Sequence, residues 1–300
     1  MHSPSASGGD GTVDTAQFLA FISHAYWGTV VSTVLFGVSL CQGYIYYSTY
    51  DDGVILKGYV AFLLLLDVFS TVAWTAGLHY VLILNWGTPV FPPETTPFSA
   101  TESVSTLIVT FLTQMFYIHR VYILGYNRRT TPITIFTFAL LSFVAGLARV
   151  GLQSTNTLSI IATRKFKIVN GFENGFAALS DVVATVAMCC HFFETAMVSS
   201  RMTSLLRRLM LYTLNRGIVV TLVQILLLAL YLHAPLGLTW VPFRRCIGKL
   251  YINTFLAMLN SRRRLRSYAS FSNRNESTSN SSTLVIQPKV DSADEGPLPS

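Results

Sequence analysis

The sequence predicts an all-α integral membrane protein, a seven-helix bundle with a disordered C-terminal tail. Three observations indicate this fold class. Of the 300 residues, 51% are apolar and only 12% are charged, whereas soluble domains carry about 25% charged residues. The apolar residues form runs of roughly 20, the length of a membrane-spanning helix. The chain then becomes rich in serine and asparagine, a composition that cannot bury enough surface to fold.

Seven apolar segments are predicted to be helices. A backbone in lipid must satisfy its own hydrogen bonds, and these runs are longer than the ~9–11 residues of a barrel strand. The seventh segment contains Arg244, Arg245 and Lys249, so we expect it to face protein or a wet cavity rather than lipid. The segments lie at roughly 20–47, 57–81, 103–125, 132–153, 172–196, 209–233 and 240–260.

Basic residues between the segments predict the orientation. One set of alternate connections contains Lys57, two arginine pairs at 128–129 and 207–208, and "RRRLR" at 262–266, whereas the other set contains only the basic stretch at 164–167. Basic loops face the cytoplasm, so the N-terminus is expected outside and the tail inside, with the plasma membrane as the preferred location. The predicted organisation is an extracellular N-terminus at 1–18, a transmembrane domain at 19–261 and a cytoplasmic tail at 262–300.

Three ionisable residues fall inside the apolar segments. Asp67, Asp181 and Lys249 each lie about 13–15 Å along their helix from the membrane surface where it begins, close to the bilayer midplane. We expect them to form one midplane cluster, because an isolated charge there costs at least ~2.5–3.5 kcal/mol. Two interpretations remain open. The cluster is either a substrate, ion or proton site, or a buried pair that fixes the register of the helices.

A second polar group is expected nearer the cytoplasm. Glu194 is the acid of this group, and Arg120 or Arg216 is its candidate partner. The alternative for Arg120, and for Arg149 near the outer end of segment four, is that the guanidinium reaches the interface from an apolar helix. The candidate inner cluster consists of His119, Arg120, His191, Glu194, Asn215 and Arg216.

Several classes of function lack their motifs in this sequence. It contains no HExxH pair, no GxSxG and no glycine-rich phosphate loop, so we expect no metal, no cofactor and no enzymatic activity. The net charge of +7 is concentrated between apolar segments, which does not indicate nucleic-acid binding. Arg245 occupies the position where microbial-type opsins carry an aspartate one turn before the retinal lysine, which argues against retinal binding.

Three motifs in the C-terminal half carry a resemblance. "LSDV" at 179–182, "LYTLNRG" at 211–217 and "KLYINTFLAMLNSR" at 249–262 resemble a family of basidiomycete fungal membrane proteins that share a C-terminal domain of unknown function, here about 172–262. "QGYIYYSTYDDGVILK" and "QMFYIHRVYIL" extend the likeness upstream. The resemblance implies a multi-pass, seven-helix protein and no particular activity. Arg216 departs from the family pattern, where a small or polar residue is expected.

The leading interpretation is a receptor- or sensor-like protein. An outer cavity would receive an unknown small ligand, and the basic run from Arg262 to Arg266 would contact anionic lipid as well as the bilayer interface. The alternative is a small-solute, ion or proton transporter or channel that uses Asp67, Asp181 and Lys249.

Overall fold

The computed structural model describes residues 15–84, 97–124, 129–154, 160–161, 163–198, 203–235 and 238–261. Within them the chain is helical apart from short turns and contains no strand, so the predicted all-α fold is confirmed. The predicted tail at 262–300, most of the N-terminal segment and most of the loop at 82–102 lie outside the described residues. The helices are α1 (Thr15–Thr49), α2 (Val54–His79), α3 (Pro97–Leu124), α4 (Thr130–Ser154), α5 (Arg164–Val198), α6 (Thr203–His233) and α7 (241–261).

Local sequence explains several helix starts. Gly53 has non-helical angles, φ −57° and ψ 152°, and its carbonyl accepts hydrogen bonds from the amides of Leu56 and Lys57 at 3.0 and 3.2 Å. Pro97 begins α3 and Pro132 lies in the first turn of α4. A missing N–H costs nothing there, because the first amides of a helix have no partner within it. The α3 and α5 helices begin six and eight residues before their predicted ranges of 103–125 and 172–196.

The α2 helix continues into a π-helical turn, Tyr80–Leu84. Such turns are uncommon and appear mostly as local interruptions of α-helices. Here the wider turn closes the second apolar run, at the end where the sequence predicts the outer membrane surface. It extends that run to Val54–Leu84.

Three described helical segments are long and apolar enough to cross a membrane: Ile22–Thr49, Val54–Leu84 and Thr130–Ser154. Their outward faces carry large apolar side chains, among them exposed Val34, Leu65 and Val144. Scattered apolar residues are normal on soluble proteins, but continuous apolar faces on several helices require an apolar solvent. The chain is therefore a membrane-embedded helical protein.

The α7 helix, which carries Arg244, Arg245 and Lys249, is enclosed by the other helices. No residue from 241 to 260 in α7 is exposed. Tyr251 and Phe255 of α7 pack in the main core against Tyr46 of α1, Leu63 of α2 and Leu227 of α6. The α7 helix is therefore enclosed by its neighbours, in line with the expectation that the seventh segment faces protein.

Glycine permits the closest approach between α1 and α7. A Cβ atom at Gly28 would lie 2.8 Å from the Cα of Pro242, so no larger residue fits without moving backbone. Gly248 of α7 similarly faces Thr106 of α3, whose Oγ1 would lie 3.2 Å from an added Cβ. Small residues at helix contacts are typical in lipid, where association depends on close packing rather than on exclusion of water.

Candidate functional site

Polar side chains of α7 contact neighbouring helices, among them α2, α3, α5 and α6. Arg245 and Lys249 are four residues apart and share one face, whereas Arg244 and Tyr251 are seven apart and share another. All four are buried. A buried cation in an apolar bundle must be paired, so the neighbours of these side chains define the candidate site.

Lys249 is paired with Asp67 of α2. The ammonium nitrogen lies 2.5 Å from Asp67 Oδ1 and 3.0 Å from the Asp67 carbonyl oxygen. It also donates to Thr71 Oγ1 at 2.6 Å. These contacts use all three ammonium donors. Asp67 Oδ2, in contrast, is buried and has no hydrogen-bond partner among the described residues.

Arg245 is paired with Glu102 of α3, and its guanidinium also lies 3.6 Å from the centre of the Trp74 ring. Thr106 Oγ1 donates to the other carboxylate oxygen, Oε1, at 3.0 Å. Trp74 is held in turn, because its indole N–H donates to Thr29 Oγ1 of α1 at 2.8 Å. The Arg245 contacts thus connect α7 to α2 and α3, and the hydrogen bond of Trp74 extends the connection to α1.

Glu173 of α5 is shared by two arginines. Arg149 of α4 forms an ion pair with Glu173 Oε2, and Arg244 of α7 lies 4.0 Å from Oε1. Arg149 also donates to Gln153 Oε1 at 2.8 Å. Only 1% of the Arg149 side chain is exposed. The interpretation that Arg149 reaches the interface is wrong, since a carboxylate one helix away holds its guanidinium inside the bundle.

Asp181 of α5 accepts a hydrogen bond from the Tyr251 hydroxyl. Gln224 of α6 donates to the same hydroxyl oxygen at 2.9 Å. Tyr251 and Lys249 are two residues apart and therefore point about 200° apart around α7. The structure thus places the three predicted midplane residues in two groups on opposite faces of α7, Lys249 with Asp67 and Tyr251 with Asp181.

The ionic groups divide around two small polar cavities. One has a volume of about 40 Å³, enough for about three water molecules, and is lined by Ser103, Glu173, Gln224 and Arg244 among others. The Ser103 hydroxyl and Gln224 Oε1 have no hydrogen-bond partner among the described residues. The other, of about 10 Å³, lies beside Lys249 and is lined largely by hydroxyl groups. Neither cavity admits an organic molecule in this arrangement.

The buried network contains four acids and four bases. Each described ion pair within it joins two different helices, and three of the acids take part in these pairs, whereas Asp181 accepts a hydrogen bond from Tyr251. Inside an apolar bundle each charged side chain needs a partner, because removing one member of a buried ion pair leaves the other charge uncompensated. The members are Asp67, Glu102, Glu173 and Asp181 with Arg149, Arg244, Arg245 and Lys249.

The predicted inner cluster is only partly described. His119 is exposed, His191 is half-buried, and the Arg120 guanidinium lies 5.4 Å from the centre of the Phe116 ring. The side chains of Glu194, Asn215 and Arg216 lie outside the described residues. His119 contributes to a groove formed by α3 and α4. Within the parts of the chain that are described, no group of three His, Cys, Asp or Glu side chains could hold a metal.

Sequence reasoning missed Glu102 and Glu173, because both were assigned to the margins of the apolar segments. A signal was present in the spacing. Glu102 and Thr106 are four residues apart, as are Arg149 and Gln153, and both pairs are hydrogen-bonded. Polar residues at this spacing share a helix face. Inside an apolar run, that spacing indicates a polar contact with another helix.

One comparison with known proteins gives a match. Residues 177–264 are similar to a family of unknown function, DUF6534. The matched stretch contains Asp181, Gln224 and the polar residues of α7, whereas Asp67, Glu102 and Glu173 precede it. The expected domain of unknown function is therefore supported by the match. No curated protein and no solved structure matches this chain.

Proposed function

We propose that this membrane protein is receptor- or sensor-like, and that α7 is the helix that responds to the signal. One observation carries the proposal: the three cations of α7 are each paired with a carboxylate of a different helix, Asp67, Glu102 or Glu173. Ionisable groups inside a membrane bundle are functional candidates by default. Here they connect one enclosed helix to three others.

A signal could act by exchanging these ion pairs. Packed interfaces have discrete arrangements, and a small displacement of a helix replaces one set of pairs by another. A ligand shifts such an equilibrium only to the extent that it prefers one arrangement. In this proposal an unidentified small ligand enters from the outer side, where Arg244 and Arg245 lie close to the start of α7. The same proposal includes no enzymatic step.

The proposed orientation places the N-terminus outside the plasma membrane and the tail in the cytoplasm, with seven crossings and a basidiomycete fungal relationship. The distribution of basic residues and the sequence motifs support it. The only glycosylation acceptors are Asn275 and Asn280, both in the tail. Expression in a eukaryotic host should give no mass shift on glycosidase treatment, whereas an acceptor introduced near Ser5 should be modified. Glycosylation of the native tail would contradict this orientation.

A second function is favoured by the Lys249–Asp67 pair. An amine and a carboxylate in contact can exchange a proton, and they border a hydroxyl-lined cavity. Proton or ion transport is therefore the runner-up. It differs from the sensor in requiring net movement of charge across the membrane rather than a change of helix arrangement alone.

Distance measurements between α2 and α5 test the sensor. Spin labels replace Val68 and Val182, which are exposed neighbours of Asp67 and Asp181, after the native cysteines are substituted. In nanodiscs we expect two distances between the labels, one highly populated and one weakly populated. The weakly populated distance should become more frequent when Asp67→Leu and Lys249→Met together remove the ion pair. Removing the exposed Lys57–Asp51 pair should change neither population. One identical distance in all three proteins would overturn the proposal.

Proton flux separates the two functions. Liposomes containing the full chain and a trapped pH-sensitive dye are given a pH gradient. If the protein is a sensor, protons should leak at the rate measured in protein-free liposomes. If it is a transporter, protons should leak faster than that, and Asp67→Asn should abolish the increase. A faster leak that Asp67→Asn leaves unchanged would assign no role in transport to the pair.

A further inference from the structure

An open groove runs between the end of α3 and the beginning of α4. Its volume is about 390 Å³, within the range of small-molecule sites. Ile118, Ile133 and Phe136 provide an apolar floor. The groove is separate from the ionic network around α7, since none of the described network residues lines it.

The rim of the groove is polar and carries positive charge. Arg129 stands immediately before α4, and His119 and Tyr122 lie in the last turns of α3. All three side chains are exposed. An apolar floor with a basic rim matches a molecule that has an apolar chain and an anionic head.

The position of the groove along the helices matches one leaflet of a bilayer. Tyr122 is near the end of α3, and Met115 is nine residues before that end, about 13–14 Å deeper. Half of a ~30 Å hydrocarbon layer is similar to that depth. The rim also belongs to the side that the basic residues predict to be cytoplasmic, where anionic lipids are concentrated.

We propose that this groove is a binding site for an anionic glycerophospholipid. One acyl chain lies along Ile118, Ile133 and Phe136, and the headgroup phosphate contacts Arg129 and His119. Arginine suits this role, because its guanidinium can form paired hydrogen bonds with a phosphate. The inference does not depend on whether α7 acts in sensing or in transport.

Photo-crosslinking of lipid probes tests the site. The purified full chain is reconstituted with a trace of diazirine-bearing phosphatidylglycerol or phosphatidylcholine, and the labelled peptides are identified by mass spectrometry. We expect labelling of the groove peptides to be about tenfold greater with phosphatidylglycerol, the ratio given by one favourable ionic contact of ~1.4 kcal/mol. Arg129→Gln should reduce that labelling to the level of phosphatidylcholine.

Two control variants are available. Arg164→Gln removes another exposed basic residue, at the start of α5, and should leave groove labelling unchanged. Ile133→Trp should fill the groove and lower labelling by both probes, whereas Leu147→Trp, on an exposed position of the same helix, should not. All variants alter exposed side chains, and an unchanged melting temperature would show that they fold. Equal labelling by both lipids, or an equal effect of Arg129→Gln and Arg164→Gln, would overturn the proposal.

Discussion

Lys249→Met is expected to lower the free energy of unfolding by about 3–5 kcal/mol, because it leaves the Asp67 carboxylate buried without its cation. The lysine ammonium is the partner of Asp67 Oδ1, and both side chains are at most 5% exposed. Methionine has a similar length and no charge, so packing changes little. Titration of the detergent-solubilised protein with SDS, followed by circular dichroism, measures the loss.

Two further variants test whether the loss of stability comes from the unpaired carboxylate. Lys57→Met removes a lysine whose ion pair with Asp51 is exposed, and it should leave the SDS titration curve where it is. The double variant Asp67→Leu/Lys249→Met removes both charges and should recover most of the stability, since apolar replacements of buried pairs are often neutral or stabilising. If the single and double variants lost equal stability, the loss would come from packing and not from an unpaired carboxylate.

Arg149→Leu is expected to cost a similar amount, about 3–5 kcal/mol, since it leaves Glu173 with only the more distant Arg244. It also removes the hydrogen bond that Arg149 donates to Gln153 Oε1. A guanidinium at the membrane interface would predict the opposite, because leucine is tolerated there without penalty. The midpoint of the same SDS titration distinguishes the two outcomes.

Arg129→Leu is the matched control for this substitution. Arg129 stands just before the same helix and is exposed, so its replacement should not move the midpoint. Glu173→Gln provides a second measurement, since it keeps the size of the side chain and removes its charge. It leaves the Arg149 guanidinium buried without a carboxylate, so it should destabilise the protein by an amount similar to that of Arg149→Leu. Equal midpoints for Arg149→Leu and Arg129→Leu would contradict a buried ion pair.

Hydropathy was sufficient to place the apolar part of each helix along the chain. The described helix of segment seven, 241–261, nearly coincides with its predicted range, and α4 extends only slightly beyond the fourth range at each end. The starts of α3, α5 and α6 were missed by six to eight residues, because hydropathy locates the continuously apolar part of a helix whereas the helix can begin earlier on mixed sequence. Glu102 is the residue before the third predicted range and Glu173 is the second residue of the fifth, so the partners of Arg245 and Arg149 were not counted among the residues inside the membrane.

The depth of each residue along its helix was sufficient to predict one contact of the candidate site. Asp67 and Lys249 were placed at one height, and the structure has them in contact. Asp181 was expected in the same cluster, whereas in the structure it accepts a hydrogen bond from Tyr251, which lies on a different face of α7 from Lys249. Counting residues from a helix end yields a height, whereas the direction around the helix axis depends on packing. The direction in which each α7 side chain points could not be predicted from the sequence. The α7 helix is enclosed on all sides, so it lacks the apolar stripe that would show which face packs against the other helices.

The enclosed position of α7 has a consequence for biosynthesis. In the proposed seven-crossing arrangement helices emerge from the ribosome in chain order, so α2 and α3 enter the membrane while Asp67 and Glu102 still await the cations of α7, whereas Glu173 of α5 already has Arg149 of α4. A helix with two arginines and a lysine is also a poor substrate for insertion by itself, since each such residue near the helix centre costs about 2.5–3.5 kcal/mol. Insertion of α7 is therefore favourable only alongside helices already made, which keep their carboxylates within reach until it arrives.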